Sequence, residues 1–249
     1  MPSNEATFNP QLKIRPGFHW AHCPAYLFDI DGTLLRCRDH VHASSFAEAV
    51  ARVTGERITL DGVPVAGNTD TAILAAAWRN AGLDPRRLEQ QQTAILAAMC
   101  AYVAAHRGQL QMEIPPGVEQ TLELLTGYGA LLGVATGNLE QIAWAKLEAA
   151  GLRKWFRFGG FSDRYTSRAR LVEAAAAEAN RLLGMSHAGV CVVGDTPRDI
   201  EAARAAGVAV VAVATGHYAW KDLAELNPEV CVSTLADLLD LTASPALEG

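Results

Sequence analysis

Short apolar runs alternate with longer amphipathic segments along most of this chain. The runs cover residues 25–30, 130–136, 157–161, 189–195 and 208–214. The last two are nearly continuous in apolar residues, which is typical of strands that are covered on both faces of a sheet. Because helical segments separate the runs, the pattern predicts an α/β fold with a parallel, doubly wound, Rossmann-like sheet.

The connection between the first two runs is far too long for a loop. It contains segments with helical spacing, among them "HASSFAEAVARVTG" and "NTDTAILAAAWRNAG", and a third that starts at the cap pair Asp84-Pro85. We therefore predict an inserted helical cap subdomain at residues 37–113. The α/β core then consists of residues 24–36 and 114–249, and the polar residues 1–23 are interpreted as an N-terminal tail that is ordered only in part.

Composition narrows the classes of function. The chain has 249 residues, of which 50% are hydrophobic and 19% charged, as is usual for a globular protein. Its formal net charge is -6 and it has no basic tract, which argues against nucleic acid as a partner. The first residues lack the apolar stretch of a signal peptide, and the apolar segment from Gly207 is too short to span a bilayer.

The cysteines argue against a disulfide or metal framework. There are five, an odd number, and no C-x-x-C pair occurs. Free thiols are usual in a reducing compartment, so we expect a cytoplasmic protein with no membrane association.

The stretch "AYLFDIDGTLL" places two acids at the end of the first apolar run. Asp29 and Asp31 are two positions apart, so on a strand both side chains face the same side. The carboxyl ends of parallel strands are where ligands bind in such sheets. A plain Asp-Gly turn is the alternative. A calcium loop is excluded, because Leu34 and His40 stand where it requires glycine and glutamate.

Two further strand ends carry candidate residues. In "VATGN", Thr136, Gly137 and Asn138 lead into a helix whose first amide groups favour an anion, although Asn138 could equally serve only as a helix cap. In "VVGDTPRDIEAA", Asp195 ends a strand, and Asp199 stands where a capping box requires an acid.

Two groups of basic side chains remain open from the residues alone. Arg164, Arg168 and Arg170 lie near the start of a helix, and each is by itself more often a surface charge than a ligand group. His40 and His42, at the entrance to the insertion, could face a substrate or could be polar residues of a hinge. Neither has the neighbours that a zinc site needs.

The order of these stretches resembles the haloacid dehalogenase superfamily over about residues 24–240. The resemblance rests on D-x-D-G-T at 29–33, T-G-N at 136–138, a later basic residue, and G-D-T-P-x-D at 194–199. The inserted helices are similar to the helical cap of one branch. "GNTDTAIL", from Gly67, is similar to a cap segment of phosphoglycolate-phosphatase-like members.

The resemblance implies a role for each of these residues. Asp29 would be the nucleophile that forms an aspartyl-phosphate, and Asp31 the general acid and base. Mg²⁺ would bind Asp29, the backbone carbonyl of Asp31, and Asp195, with Asp199 in support. Phosphate would bind Thr136, Gly137, Asn138 and a basic residue that is usually lysine in the family. Arg168 fits that place best, with Arg164 as the alternative.

These implications favour a magnesium-dependent phosphatase that hydrolyses a small phosphate monoester. The acid at position 31 separates the chain from dehalogenating members, which lack it. A phosphomutase or a phosphonate hydrolase on the same core stays open as an alternative, as does a non-catalytic binding protein. The expected partner is a small phosphorylated substrate, and the chain could be a monomer or a homodimer.

Overall fold

The computed structural model describes residues 11–186 and 189–243. Nine strands occur in this part of the chain: β1 (Lys13–Ile14), β2 (Ala25–Phe28), β3 (Arg36–Cys37), β4 (Met112–Glu113), β5 (Leu131–Ala135), β6 (Gly159–Gly160), β7 (Val190–Gly194), β8 (Ala209–Val213) and β9 (Val230–Val232).

Helices occupy most of the remaining described residues. They are α1 (Val41–Thr54), α2 (Asp70–Asn80), α3 (Pro85–Ala105), α4 (Val118–Gly127), α5 (Glu140–Ala149), α6 (Arg168–Leu183), α7 (Pro197–Ala205), α8 (Trp220–Glu225) and α9 (Ala236–Ala243), with short 3-10 turns at Trp20–His22, Arg107–Gln109 and Arg153–Trp155. No helix within the described ranges is both long enough and apolar enough to cross a membrane.

The main sheet has the order β1-β9-β8-β7-β2-β5-β6 and is parallel except for the edge strand β1. β2 lies in the middle, between β5 and β7. Its side chains alternate between the two faces: Tyr26 and Phe28 enter one apolar cluster, and Leu27 enters the other. The predicted α/β class with a doubly wound sheet is confirmed.

Helix ends follow local sequence signals. At α7 the hydroxyl of Thr196 accepts the amide of Asp199, while the Asp199 carboxylate accepts the amide of Thr196, which completes a capping box ahead of Pro197. At α3 the Asp84 carboxylate accepts the Arg86 amide, again with proline in the first position. These caps fix the loop between β7 and α7 and the loop between α2 and α3.

The residues between β3 and β4 form a helical unit with its own apolar core. Trp78, Ile95 and Met99 are fully buried there, and Leu139 and Ile142 from the sheet-covering part of the chain join the same cluster. β3 and β4 pair as an antiparallel ribbon where the chain leaves and re-enters the core. The helices fall inside the segment predicted as a cap, whose borders at 37 and 113 stay a prediction.

The first described residues are tied to the sheet. Lys13 pairs with Cys231 and Ile14 with Val230 of β9, and Trp20 is buried in a core cluster. Of the predicted N-terminal tail, residues 1–10 lie outside the described part of the chain. The remainder contributes an edge strand, a role that its short length and its prolines did not indicate.

Candidate active site

Asp29 and Asp31 follow β2 but have different surroundings. The backbone amide of Asp29 donates to the carbonyl of Val193 at 2.8 Å, which continues the pairing of β2 with β7 beyond the strand end. The Asp29 residue is only 5% exposed, whereas the side chain of Asp31 is 42% exposed. The two acids therefore belong to separate groups of charges at the same sheet edge.

A cluster of three carboxylates forms around Asp29. Oxygen atoms of Asp29, Asp195 and Asp199 all lie within 4.8 Å of one another. Asp195 follows β7, the strand beside β2, and Asp199 lies in the first turn of α7. Neighbouring strand ends and one capped helix thus bring together three acids that are up to 170 residues apart in the sequence.

Two glycines allow the backbone to surround the Asp195 carboxylate. A Cβ atom on Gly32 would stand 2.3 Å from its Oδ2, and one on Gly216 would stand 1.7 Å from the same oxygen. Gly32 also has a φ of +91°, a conformation that other residues rarely adopt. The hydroxyl of Thr33 donates to Asp195 Oδ1 at 3.0 Å, so the position of this side chain is fixed on three sides.

Arg168 is the basic residue that reaches the cluster. Its guanidinium lies 2.9 Å from Asp29 Oδ1, and its Nε donates to Asp199 Oδ1 at 2.9 Å. Arg164, the alternative, instead pairs with Glu140, and its side chain is 65% exposed. Asp199 is fully occupied, because its other oxygen accepts the amide and the hydroxyl of Thr196. It holds Arg168 and the loop in place.

The charges of this cluster do not balance. Burial raises the pKa of Asp29 to about 6 even though Arg168 beside it acts in the opposite direction. Burial, with Asp29 and Asp199 nearby, also raises the pKa of Asp195 well above its ordinary value. Three acids share one guanidinium, and all the donors are hard oxygens. This donor set fits a small divalent cation such as Mg²⁺.

Asp31 belongs to a second network, built on α5. The buried ammonium group of Lys146 donates to Asp31 Oδ2 at 2.7 Å, to Asp31 Oδ1 at 2.9 Å and to Asn138 Oδ1 at 2.9 Å. The amide of Asn138 donates to Asp31 Oδ2 at 2.7 Å, which closes the ring of contacts. Desolvation alone raises the pKa of Asp31, but Lys146, His42 and Asn138 together outweigh it and hold that pKa below its usual range.

The predicted phosphate-binding residues lie at the same edge, after β5. The capping role that the sequence indicated for Asn138 is wrong. The N-cap is Leu139, and no side chain caps this helix. The side chain of Asn138 turns back to Asp31 and to the hydroxyl of Thr136. The inserted segment packs closely against Gly137, because a Cβ atom there would lie 2.1 Å from the carbonyl oxygen of Asn68.

The start of α2 docks on this loop. The amide of Asp70 donates to the carbonyl of Gly137 at 2.7 Å, and its carboxylate accepts the amide of Leu139 at 2.8 Å. The same carboxylate lies 3.2 Å from Nε2 of His42. Of the two histidines that were left open, His42 faces the site, and His40 precedes α1 as an exposed N-cap residue without a side-chain cap bond.

These residues surround one cavity of about 600 Å³ between the sheet edge and the inserted helices. Asp29, Asp31, Thr136, Gly137, Asn138, Lys146, Arg168 and Asp195 all line it. Such a volume is typical of a small-molecule site. Asp199 does not line the cavity, in keeping with its place behind Arg168.

Lys146, Asp70 and Thr33 are site residues that sequence reasoning missed. For Lys146 a signal was present: it follows Ile142 and Ala143 by four and three positions, on the buried face of α5. A lysine on an apolar helix face usually has a buried acidic partner. Asp70 offered no such signal, because an acid at a helix start is ordinary.

The chain is similar to known proteins over most of its length. Residues 26–213 match the family model described as "Haloacid dehalogenase-like hydrolase". The chain is 30% identical over 240 residues to "Probable phosphatase IndB" of Dickeya dadantii, covering 89% of this chain and 97% of that relative. It is also 30% identical over 215 residues to "Phosphoglycolate phosphatase" of Synechococcus elongatus, covering 86% of this chain and 95% of the relative.

A solved structure shares the fold. The crystal structure of "a predicted phosphoglycolate phosphatase" from Haemophilus somnus superposes with a TM-score of 0.64 and 24% sequence identity, over 88% of this chain and 98% of that one.

Proposed function

The chain belongs to the haloacid dehalogenase-like hydrolase family and is a phosphatase, and from this premise we propose that it is a magnesium-dependent hydrolase of a small phosphate monoester that acts through an aspartyl-phosphate. The observation that carries the proposal is the separation of Asp29 from Asp31. One acid lies in a buried, metal-type cluster, and the other lies in a hydrogen-bonded ring with Lys146.

In the first step, an oxygen of Asp29 attacks phosphorus and the bond from phosphorus to the ester oxygen breaks. The leaving alcohol needs a proton, which Asp31 supplies. Lys146 holds Asp31 ionised in the free site, so Asp31 must first take up a proton. The arrival of a phosphate dianion next to it raises its pKa and favours that uptake.

In the second step, a water molecule attacks phosphorus of the aspartyl-phosphate. Asp31, now ionised, takes a proton from that water, inorganic phosphate leaves, and Asp29 returns to its starting state. Lys146 and Asn138 keep both oxygens of Asp31 oriented throughout. The contacts of Asp31 therefore fit the second step directly.

Asp29, Asp195 and the backbone carbonyl of Asp31 would hold Mg²⁺, with Asp199 as the support behind Arg168. When bound, the metal supplies positive charge that lets a phosphate approach the acids and offsets charge that develops during transfer. Arg168 adds a fixed guanidinium on the Asp29 side. Thr136, Gly137 and Asn138 would contact phosphate oxygens at the start of α5.

The proposed substrate is a small phosphorylated molecule, in agreement with the printed names of the relatives. We further propose a cytoplasmic location, supported by five cysteines that are all free thiols. A monomer and a homodimer both remain compatible with this function.

The test is release of inorganic phosphate from a panel of phosphate monoesters, with Mg²⁺ and with a chelator. The Asp29→Asn variant should lose turnover on every ester. When turnover of an ester with radiolabelled phosphorus is quenched with acid, the wild-type protein should retain label. Alkali should then remove that label from the protein. Near-wild-type activity of Asp29→Asn would refute the nucleophile assignment. Transfer of the phosphoryl group to another hydroxyl group, without free phosphate, would identify a phosphomutase.

A further inference from the structure

The cavity has two halves of different chemistry. The inner half, at the sheet edge, holds the acids, Arg168 and Lys146 described above. The outer half is formed by α1, α2 and the segment between them. Its wall is largely apolar and contains Ala43, Phe46, Leu60, Val63, Val65 and Ile73.

This apolar wall combines buried side chains with one that is exposed. Phe46, Val63 and Ile73 are 2%, 8% and 7% exposed and belong to the core of the inserted helices. Val65 is 45% exposed, although it lines the cavity. An exposed valine beside buried apolar side chains favours contact with an apolar group of a ligand.

The cations around the outer half already have acidic or backbone partners in the described chain. Arg36 donates to the carbonyl of Thr215 at 2.9 Å and lies 3.5 Å from Glu113, and Arg38 donates to the same Glu113 at 2.6 Å. His42 lies against Asp70. Only the exposed His217, at the rim on the core side, adds a further basic side chain to this lining.

A substrate with a carboxylate next to its phosphate would need a second cation beyond the phosphoryl site. The outer half instead adds the acids Asp39 and Asp70 to the lining. Their negative charges match the positive charges of the arginines there before any ligand enters. Burying a carboxylate without a partner is costly, whereas apolar surface is buried there with a gain.

Building on the phosphatase function proposed above, we propose that this chain takes phosphate monoesters of uncharged, apolar alcohols. The phosphoryl group would occupy the inner half of the cavity. An alkyl or aryl leaving group would contact Phe46, Val65 and Ile73. Esters of short hydroxy acids, such as phosphoglycolate, would be poor substrates despite the names of several relatives.

The experiment compares benzyl phosphate with 2-phosphoglycolate on the full chain with Mg²⁺. Both are esters of primary alcohols, so the chemistry at phosphorus is similar. We expect kcat/KM to be at least about tenfold higher for benzyl phosphate. Equal or higher kcat/KM for phosphoglycolate overturns the proposal and leaves the phosphatase function standing. Absence of phosphate release from every ester refutes the phosphatase function itself.

A cation placed on the apolar wall should reverse the preference. Val65→Lys is expected to shift the ratio of the two kcat/KM values toward phosphoglycolate by about tenfold. Leu182→Lys is the matched control, because Leu182 is 44% exposed and lies at the end of α6. A shift in Val65→Lys no larger than in Leu182→Lys, with both variants folded by thermal melting, contradicts the proposal.

Discussion

Lys146 donates from its buried ammonium group to both carboxylate oxygens of Asp31, at 2.7 and 2.9 Å. The contact joins α5 to the loop after β2 across 115 residues of sequence. It fixes the orientation of an acid that is itself partly open to the cavity. The proposed proton transfers at Asp31 therefore depend on a helix that provides none of the other acids.

We predict that Lys146→Met lowers kcat about a hundredfold, because Asp31 loses its orienting partner. Lys146 holds the pKa of Asp31 below its usual range, so its removal raises that pKa. The alkaline limb of the profile of kcat/KM against pH should then move to higher pH, because the first step needs protonated Asp31 and that form now persists to higher pH.

Lys221→Met is the control for this prediction, because Lys221 is exposed on α8. Its kcat and pH profile should match those of the wild type. If Lys146→Met kept the wild-type pH profile while losing activity, the lysine would act only on the structure and not on Asp31.

The contacts of Arg168 predict a loss of both stability and turnover in Arg168→Met. The variant leaves Asp29 and Asp199 buried with their shared cation gone, and removal of one partner from a buried ion pair costs about 3–5 kcal/mol of unfolding free energy. Denaturant unfolding measures this cost. Because Mg²⁺ offsets part of the negative charge, the cost should be smaller with the metal than with a chelator.

Arg164→Met provides the comparison that separates the two arginines. Arg164 pairs with Glu140 at the surface, and exposed pairs contribute at most about 1 kcal/mol. We expect stability and kcat/KM close to those of the wild type. Loss of phosphatase activity in Arg164→Met, with Arg168→Met unaffected, would reverse the assignment of the phosphate-side cation.

The sequence was informative where local chemistry determines structure. The apolar runs predicted β2, β5, β7 and β8, and the capping-box position of Asp199 indicated the start of α7. Asp29 and Asp195 could be expected at one edge, because parallel strands share the end at which they stop.

Contacts that depend on tertiary packing could not be anticipated. Asn138 follows a strand and precedes a helix, a position that favours capping. Its side chain instead contacts Lys146, two turns along α5, and Asp31, which follows β2. Similarly, the docking of Asp70 on Leu139 joins residues 69 positions apart. The stretch GNTDTAIL around Asp70 resembles a family cap segment, but it does not indicate this contact.

The raised pKa of Asp29 predicts how stability without metal depends on pH. A carboxyl group whose pKa is higher in the folded than in the unfolded state stabilises the fold at low pH. That contribution is lost as pH rises from about 4 through about 6. Asp29→Asn removes this dependence and keeps the shape of the side chain.

With a chelator at pH 8, Asp29→Asn should therefore be more stable than the wild type, by on the order of 2–3 kcal/mol. Below about pH 3 the difference should vanish. Denaturant unfolding at several pH values measures it. A variant less stable than the wild type at pH 8 would show that burial does not raise the pKa of Asp29.

Metal binding supplies the last prediction, through Asp195. Gly32, Gly216 and Thr33 enclose its carboxylate, so Asp195→Asn should fit the same space. Mg²⁺ at about 100 times its Kd should stabilise the wild type by about 2.7 kcal/mol and the variant far less. Without metal, the variant should be the more stable protein, because it buries one charge fewer. Asp222→Asn, at an exposed position on α8, should respond to Mg²⁺ as the wild type does. Equal stabilisation of Asp195→Asn and the wild type by Mg²⁺ would show that the ion binds elsewhere.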